Sequence, residues 1–190
     1  MQVSILCGGK SSRMQSEKGL VLYQNKPFIE HIIEAVLPIS SNIQLITNTN
    51  DYDYLAYKKI KDIVVDKGPL GGIFTALVHS ETEMNLILSC DIPLISNEIL
   101  LELIEKHGTN FDVSVFEDIN RIHPLIGIYS KRILPVLKEA IDVNDLKMMR
   151  FISNVKHQLI PITDAKRHLF KNINSVAELN ELNTNLSQLK

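Results

Sequence analysis

The stretch VSILCGGKSSRMQSEKG (Val3–Gly19) decides the fold prediction for this chain. It opens with a short apolar run, Val3–Cys7, which is bounded by glycines and predicts a buried β-strand. The strand leads directly into paired glycines, hydroxyl side chains and two spaced cations, Arg13 and Lys18. Glycines allow the backbone to approach a ligand closely, and cations contact phosphate oxygens. The pattern therefore favours a phosphate-binding loop that follows the first strand of an α/β sheet.

This loop has the spacing of neither of two common phosphate motifs. It lacks the Gly-Lys-Ser/Thr of a P-loop at the required distance and the GxGxxG of a dinucleotide fingerprint. A tight turn with solvated cations therefore stays open as the alternative.

Apolar runs and amphipathic stretches alternate along the rest of the chain, which predicts a single Rossmann-like, doubly wound α/β domain over residues 1–190. Ligands bind such sheets at the carboxyl ends of the strands, near the point where strand order reverses. The sheet order 3-2-1-4 is expected for the first four strands. The further predicted strands are Ile43–Thr47, Asp62–Val65, Asn85–Ser89 and Asp112–Phe116. The predicted helices are Pro27–Leu37, Gly72–His79, Ser96–His107 and one that opens with a capping box at Ser175 and Glu178.

Composition limits the possible functions. The net charge of −2 offers no overall basic field for nucleic acid or an anionic membrane. No apolar run approaches the roughly 18 residues that a membrane span needs, and the N-terminus does not resemble a signal peptide. We therefore expect a cytoplasmic protein with two reduced cysteines and a polar tail, residues 183–190, that frays.

Asp91 is the strongest candidate for a catalytic side chain. It follows the apolar run Leu86–Cys90, and Pro93 stops the strand from continuing. A carboxylate at a strand end can hold Mg²⁺ while triphosphate and water complete the octahedron. A turn-forming or helix-capping aspartate is the alternative.

Four other signals are weaker. The segment Asp66–Gly72 is glycine-rich and opens a helix, which makes it either an anion site or a flexible loop. Asn48 ends the second predicted strand and could contact a ribose, although a turn asparagine is the simpler interpretation. His123 is either structural or a substrate contact. Asn172 and Asn174 alternate as in an extended segment, so both amides can share one face and bind a polar heterocycle or phosphate, or they can form the surface of an edge strand.

Cys7 and Cys90 end neighbouring strands in the predicted sheet order, so their thiols can lie close together near a nucleotide. Two buried, inert thiols are the alternative to a redox-sensitive pair.

Together these segments resemble the molybdenum cofactor guanylyltransferase (MobA-like) family of the nucleotidyltransferase superfamily. That family has a Leu-Ala-Gly-Gly-x-Ser-x-Arg-Met-Gly-x-Asp-Lys start, followed by Gly-Pro-Leu-Gly-Gly, Cys-Asp-x-Pro, His-Pro and Asn-x-Asn elements. The matching segments here, in the same order, are Leu6–Lys18, Gly68–Gly72, Cys90–Pro93, His123-Pro124 and Asn172–Asn174. This chain departs from the pattern at Cys7, Gln15 and Glu17, where the family has alanine, glycine and aspartate.

The resemblance implies a mostly parallel sheet with an antiparallel strand, as in nucleotide-diphospho-sugar transferases. It also implies transfer of GMP from GTP to molybdopterin or its molybdenum-loaded form, with release of pyrophosphate and with Mg²⁺ as cofactor. Contact with proteins that deliver the molybdenum cofactor is a further expectation.

The resemblance assigns roles residue by residue. Arg13, Lys18 and Asp91 would be catalytic, and Asp91 would bind the metal. His123, Asn172 and Asn174 would contact the pterin. The expected nucleotide contacts are Leu6, Cys7, Gly8, Gly9, Lys18, Asn48, Asp66, Gly71 and Asp91.

Two alternatives remain at this point. One is a cytidylyltransferase or sugar-phosphate nucleotidyltransferase on the same fold. The other is a non-catalytic GTP-binding or adaptor protein.

Overall fold

A computed structural model of the chain describes residues 1–8, 17–119 and 121–187. Two of the predicted site residues, Gly9 and Arg13, lie outside the described residues. The strands are β1 (Gln2–Leu6), β2 (Leu22–Tyr23), β3 (Lys26–Pro27), β4 (Ile43–Ile46), β5 (Lys58–Ile60), β6 (Met84–Ser89), β7 (Val113–Glu117), β8 (Ile122–Ser130) and β9 (His157–Pro161). The α-helices are α1 (Phe28–Val36), α2 (Gly68–His79), α3 (Asn97–Lys106), α4 (Leu134–Asp142), α5 (Met148–Ser153) and α6 (Val176–Ser187).

A seven-stranded sheet with the order β5-β4-β1-β6-β8-β7-β9 forms the centre of the fold. Strands β5, β4, β1 and β6 run parallel, whereas β8 is antiparallel to both of its neighbours, β6 and β7. This confirms the predicted α/β class, the order of the first four strands and the antiparallel strand in a mostly parallel sheet. Leu6 lies opposite both Ile46 and Ser89, so β1, β4 and β6 end at the same edge of the sheet.

Helices cover both faces of this sheet, as the apolar character of its strands predicts. Alternating side chains of β1 separate the two layers: Val3 and Ile5 pack with α1 and α3, whereas Leu6 packs with α2. All five residues of β1 are buried. Full burial of one Leu or Ile side chain contributes about 1.5–3 kcal/mol to stability. Packing against the helices on both faces of the sheet therefore holds β1 in place.

The third predicted strand is wrong in position, since β5 covers Lys58–Ile60 and not Asp62–Val65. Strand β5 is at the edge of the sheet, where charged side chains are common, and only its Ile60 is buried. Ile63 and Val65, which carried the prediction, are exposed in the loop that follows.

One helix boundary also differs from the prediction. Helix α2 begins at Gly68 because Pro69 suits the first turn of a helix, whereas the sequence predicts a start at Gly72. Helix α6 spans Val176–Ser187 and includes the start of the predicted tail at Asn183, and fraying of residues 183–190 stays a prediction. Among the described residues, no helix is both long enough and apolar enough to cross a membrane.

Candidate active site

Asp91 is a buried carboxylate just beyond the end of β6, and it accepts hydrogen bonds on both oxygens. Its Oδ1 accepts from the Ser89 hydroxyl and from the Asn172 amide, whose Nδ2 lies 2.7 Å away. Its Oδ2 lies 3.1 Å from the Lys18 ammonium nitrogen. A buried charge is tolerated where it is paired and hydrogen-bonded, and Asp91 meets both conditions.

Lys18 links Asp91 to the C-terminal part of the chain. Its Nζ lies 2.5 Å from the Asn174 amide oxygen, in addition to its contact with Asp91. Lys18 begins a short 3-10 turn, Lys18–Leu20, that packs closely on the core. A β-carbon at Gly19 would lie 2.6 Å from the Tyr52 hydroxyl oxygen and 3.3 Å from the Cys90 β-carbon. Glycine at this position therefore allows the turn to hold Lys18 against the end of β6.

The segment Asn172–Asn174 runs beside Asp91 as a short extended stretch. The Ile173 N–H donates to the Asp91 carbonyl at 2.9 Å, and the Ile173 side chain is buried on the opposite side. Both asparagine amides consequently reach the Lys18–Asp91 pair, in agreement with the alternation in the sequence.

The start of α6 fixes this segment. The Ser175 hydroxyl accepts from the Glu178 N–H at 3.2 Å, as in a capping box. The Glu178 carboxylate accepts from the Asn174 N–H at 2.6 Å, one residue earlier than the usual partner. This backbone hydrogen bond is the main cause that lowers the pKa of Glu178.

A second polar cluster lies at the adjacent strand ends, beside Gly8. The Asn48 amide nitrogen donates to Asp62 Oδ2 at 2.9 Å, and its oxygen accepts from the Asp62 N–H at the same distance. A β-carbon at Gly8 would lie 4.0 Å from Asp62 Oδ2. The Asp62 Oδ1 atom is buried and has no donor among the described residues.

The sequence predicts that Asp66, together with Asn48, holds the nucleoside, and this role of Asp66 stays a prediction. Asp66 is exposed and has a positive φ of 58° in the turn before α2, whereas Asp62 is the aspartate that pairs with Asn48. The predicted third strand included Asp62, and a residue inside a strand is not expected at the carboxyl end of the sheet, where ligands bind. Asp62 was therefore not among the predicted site residues.

Two backbone groups that were expected to contact a base already form hydrogen bonds to neighbouring segments of the sheet. The Leu6 carbonyl accepts from the Cys90 N–H at 3.2 Å, and the Cys7 N–H donates to the Ile46 carbonyl at 2.8 Å. Gly71 lies inside α2, where a β-carbon would come within 2.9 Å of the Lys67 β-carbon, so close packing explains this glycine. Nucleotide contacts by Leu6, Cys7 and Gly71 stay predictions.

His123 lines a cavity of about 190 Å³ next to Asp91. Asn172 lines the same cavity while it bonds to Asp91. The His123 ring packs on Phe170 with centroids 5.1 Å apart, and its Nε2 lies 3.4 Å from Asp118 Oδ2. Burial lowers the pKa of His123, and the nearby Arg121 charge lowers it further.

Cys7 and Cys90 are both buried and free. They directly follow Leu6 and Ser89, which are opposite one another in the β1–β6 register. Burial and the neighbouring Cys90 raise the pKa of the Cys7 thiol. A high pKa disfavours the reactive thiolate, so the geometry favours two inert thiols.

Metal binding at this site would depend on Asp91. Within residues 1–8, 17–119 and 121–187, no group of three His, Cys, Asp or Glu side chains is arranged to hold a metal ion. Any divalent cation here would therefore need oxygen ligands from a substrate as well as from the protein.

Comparison with known proteins relates this geometry to a family. Residues 3–159 match the family model described as the MobA-like NTP transferase domain. A protein of Flavobacterium johnsoniae named probable molybdenum cofactor guanylyltransferase is 63% identical over 183 residues, which cover 96% of each chain. A protein of the same name from Carboxydothermus hydrogenoformans is 35% identical over 187 residues, which cover 96% of this chain and 94% of the relative.

Solved structures agree with the fold. The crystal structure of molybdopterin-guanine dinucleotide biosynthesis protein A from Archaeoglobus fulgidus superposes with a TM-score of 0.83. The superposition covers 99% of this chain and 100% of that one at 22% sequence identity, a level that bears on the fold alone.

Proposed function

This chain belongs to the MobA-like NTP transferase family, among the molybdenum cofactor guanylyltransferases, and we propose that it transfers GMP from GTP to molybdopterin or its molybdenum-loaded form. Pyrophosphate is the second product. The observation that supports this chemistry most is the cluster of Lys18, Asp91 and Asn172 at the carboxyl ends of β1 and β6. It combines a cation, a buried carboxylate and an amide at the edge where parallel sheets bind ligands.

The reaction requires positioning and charge stabilisation rather than a covalent intermediate. A phosphate oxygen of the acceptor forms a bond to the α-phosphorus of GTP, and the bond from that phosphorus to the bridging oxygen breaks. The electron pair leaves with pyrophosphate. Lys18 would neutralise the charge that grows on the leaving group, together with Arg13, which precedes it in the sequence.

Asp91 fits a magnesium ligand. It offers a hard carboxylate that is oriented by Ser89 and Asn172, and each carboxylate oxygen can accept more than one partner. Mg²⁺ often takes one or two protein carboxylates and fills its other positions with phosphate oxygens and water. When bound, the ion would polarise the phosphate and offset its negative charge.

The nucleoside would lie over Gly8, near Asn48 and Asp62. The Asp62 carboxylate is half-exposed, and guanine offers N–H donors on its Watson–Crick edge. A site that pairs such donors discriminates strongly against bases that leave its polar groups unpaired. This arrangement supports a preference for GTP.

The pterin would occupy the cavity lined by His123 and Asn172. Its walls are otherwise mostly aliphatic, with Ile92, Leu125 and Ile126 among them, which suits a flat heterocycle. Since Asn172 also donates a hydrogen bond to Asp91, which pairs with Lys18, a pterin in this cavity would be able to place its phosphate near Lys18.

Pyrophosphate release from GTP, CTP, ATP and UTP, each with and without molybdopterin, tests the proposal. We expect release that depends on both GTP and molybdopterin. Equal turnover with CTP would favour a cytidylyltransferase. Turnover with a sugar phosphate in place of molybdopterin would favour the second enzyme alternative, and GTP binding without any pyrophosphate release would favour an adaptor.

A further inference from the structure

A buried aspartate–histidine pair lies beside the cavity proposed for the pterin. The side chains of Asp118 and His123 are only 6% and 3% exposed, and Asp118 Oδ2 lies 3.4 Å from His123 Nε2. His123 lines the pterin cavity, whereas Asp118 lines a neighbouring cavity that shares Arg121 with it. The histidine is therefore the member of the pair that a molecule in the pterin cavity would contact.

An irregularity in β8 builds the wall of the cavity around His123. The pairing of β7 with β8 changes from Val115 opposite Gly127 to Phe116 opposite His123, so β8 has three extra residues, 124–126, at this point. These three residues and His123 line the cavity. Bulges commonly redirect side chains next to active sites, and this one leaves His123 where β8 pairs with β7 again.

Asp118 uses its two carboxylate oxygens for different partners. Its Oδ1 accepts from the Arg121 N–H at 3.1 Å, and its own N–H donates to the Arg121 carbonyl at 2.9 Å, which joins the two strands at the end of the hairpin. Its Oδ2 faces His123 Nε2 and, at 3.9 Å, Arg167 Nε, whose charge offsets that of the buried carboxylate. One side chain therefore fixes both the hairpin end and the ring that lines the cavity.

The contact with Asp118 determines which ring nitrogen of His123 carries the hydrogen. Burial and the nearby Arg121 charge lower the pKa of His123, so the ring is neutral at pH 7 and has one donor and one acceptor nitrogen. A carboxylate oxygen only accepts hydrogen bonds, so the hydrogen lies on Nε2 and Nδ1 keeps its lone pair. Packing on Phe170, with centroids 5.1 Å apart, holds the plane of the ring.

An acceptor nitrogen on this wall suits the ligand that the proposed function supplies. A pterin has N–H donors on its amino-oxo-pyrimidine edge, in the same pattern as guanine. A histidine nitrogen with a free lone pair can accept from such a group, whereas a nitrogen that carries hydrogen would oppose it. A site that uses hydrogen bonds in this way discriminates against ligands that leave its polar groups unpaired.

We propose that Asp118 is a positioning residue that holds His123 in the tautomer with its hydrogen on Nε2, so that Nδ1 accepts a hydrogen bond from an N–H group of the acceptor's heterocycle. The inference rests on the proposed function, because that function supplies the heterocycle. Asp118 acts through the orientation and polarity of the His123 ring and not on the reacting phosphate.

Asp118→Asn tests the carboxylate without removing the hairpin contact. The asparagine oxygen can still accept from the Arg121 N–H, whereas the amide nitrogen turns hydrogens toward His123 Nε2 and favours the opposite tautomer. Nitrogen chemical shifts of the ring, measured by NMR at neutral pH, distinguish the two tautomers, and His123→Gln identifies the signal by its loss. We expect the Nε2–H form in wild-type protein and mostly the Nδ1–H form in Asp118→Asn.

Steady-state pyrophosphate release measures the consequence for the acceptor. We expect Asp118→Asn to raise KM for molybdopterin roughly tenfold and to leave KM for GTP unchanged, because one hydrogen bond to the acceptor is lost. Asp112→Asn is the matched control, since Asp112 directly precedes β7 at the other end of the hairpin and pairs with the exposed Arg132 at 3.2 Å. The control should leave both KM values unchanged.

A double variant separates a positioning role from a purely structural one. If Asp118 acts through the ring, Asp118→Asn combined with His123→Gln raises KM for molybdopterin no further than His123→Gln alone. Additive increases would overturn the inference.

The tautomer measurement gives the other contradicting outcomes. An unchanged tautomer in folded Asp118→Asn would overturn the inference, and so would a reversed tautomer with unchanged KM for molybdopterin. A wild-type ring with its hydrogen on Nδ1 would overturn it even if the variant failed to fold. Failure of the proposed function would be visible separately, because wild-type protein would then release no pyrophosphate from GTP and molybdopterin.

Discussion

At the scale of single residues, the proposed contact of Lys18 with phosphate can be tested separately from folding. It is part-exposed and contacts Asp91 and Asn174, so its ammonium group can turn to a phosphate without leaving a buried cavity. Asp91, by contrast, is bound by Ser89, Asn172 and Lys18. These three contacts fix the position of its carboxylate in the site.

Replacement of Lys18 by alanine should lower kcat/KM roughly ten- to a hundredfold, because one charge-assisted hydrogen bond is worth about 1.5–3 kcal/mol. Steady-state pyrophosphate release measures the effect. Lys26→Ala is the control, since Lys26 forms an exposed ion pair with Glu34 at 2.7 Å on the protein surface. Near wild-type kcat/KM in Lys18→Ala would show that Lys18 serves only as the structural partner of Asp91.

His123 should make the folded state sensitive to acid. Its pKa is lowered by burial and by Arg121, so the folded protein favours the neutral ring. An unfolded histidine titrates near about 6.5. Its contribution to stability is therefore present above that pH and is lost as the pH falls from there toward the lower folded pKa.

The free energy of unfolding in urea, measured from pH 7.5 to 5.5, checks this expectation. His123→Gln should show a shallower decline than wild-type protein. Part of the decline should persist, because burial also lowers the pKa of His107. An identical pH slope in the variant would show that His123 does not contribute.

At the scale of elements, the start of α6 positions the two asparagines. Ser175 and Glu178 bind the backbone at the junction between Asn174 and the helix. The helix itself packs through Leu182 in a cluster with Tyr23, Phe28 and Ile173. The positions of the Asn172 and Asn174 amides thus depend on the N-terminus of α6, an element that is not part of the seven-stranded sheet.

Ser175→Ala should cost about 0.5–2 kcal/mol of stability through the lost cap, and it should also lower kcat/KM because the helix start that orients Glu178 and Asn174 is weakened. Urea unfolding and pyrophosphate release give the two values. Ser96→Ala is a matched control, because Ser96 caps α3 in the same way at 3.4 Å from the Ile99 nitrogen. We expect the control to lose stability and to retain activity. If both variants retain activity, the cap does not position Asn174.

The elements also show what the sequence could predict. Strands β1 and β6 were predicted because they are central and apolar, and their ends placed Asp91 and Gly8 correctly at the ligand edge. The edge strand β5 was not predicted because two of its three residues are lysines. That error also placed Asp62 inside a predicted strand, whereas Asp62 lies just beyond the end of β5.

At the scale of the whole molecule, the site joins distant parts of the chain. The hydrogen bonds from Lys18 to Asp91 and to Asn174 span 73 and 156 residues, and the one from Asn172 to Asp91 spans 81. Sequence motifs identified these residues, but only the sheet order and the path of the segment before α6 bring them together.

We propose that Asp91 organises the transfer of GMP to a molybdopterin acceptor, and transfer of a radioactive label from the α-phosphate of GTP to molybdopterin tests this role most directly. The comparison is between wild-type protein, Asp91→Asn and Asp142→Asn, where Asp142 is an exposed carboxylate paired with Lys138 at 2.6 Å. We predict Mg²⁺-dependent label transfer by wild-type protein and by Asp142→Asn, and loss of most transfer by a folded Asp91→Asn protein. Normal label transfer with normal Mg²⁺ dependence in folded Asp91→Asn would show that Asp91 does not organise the transfer.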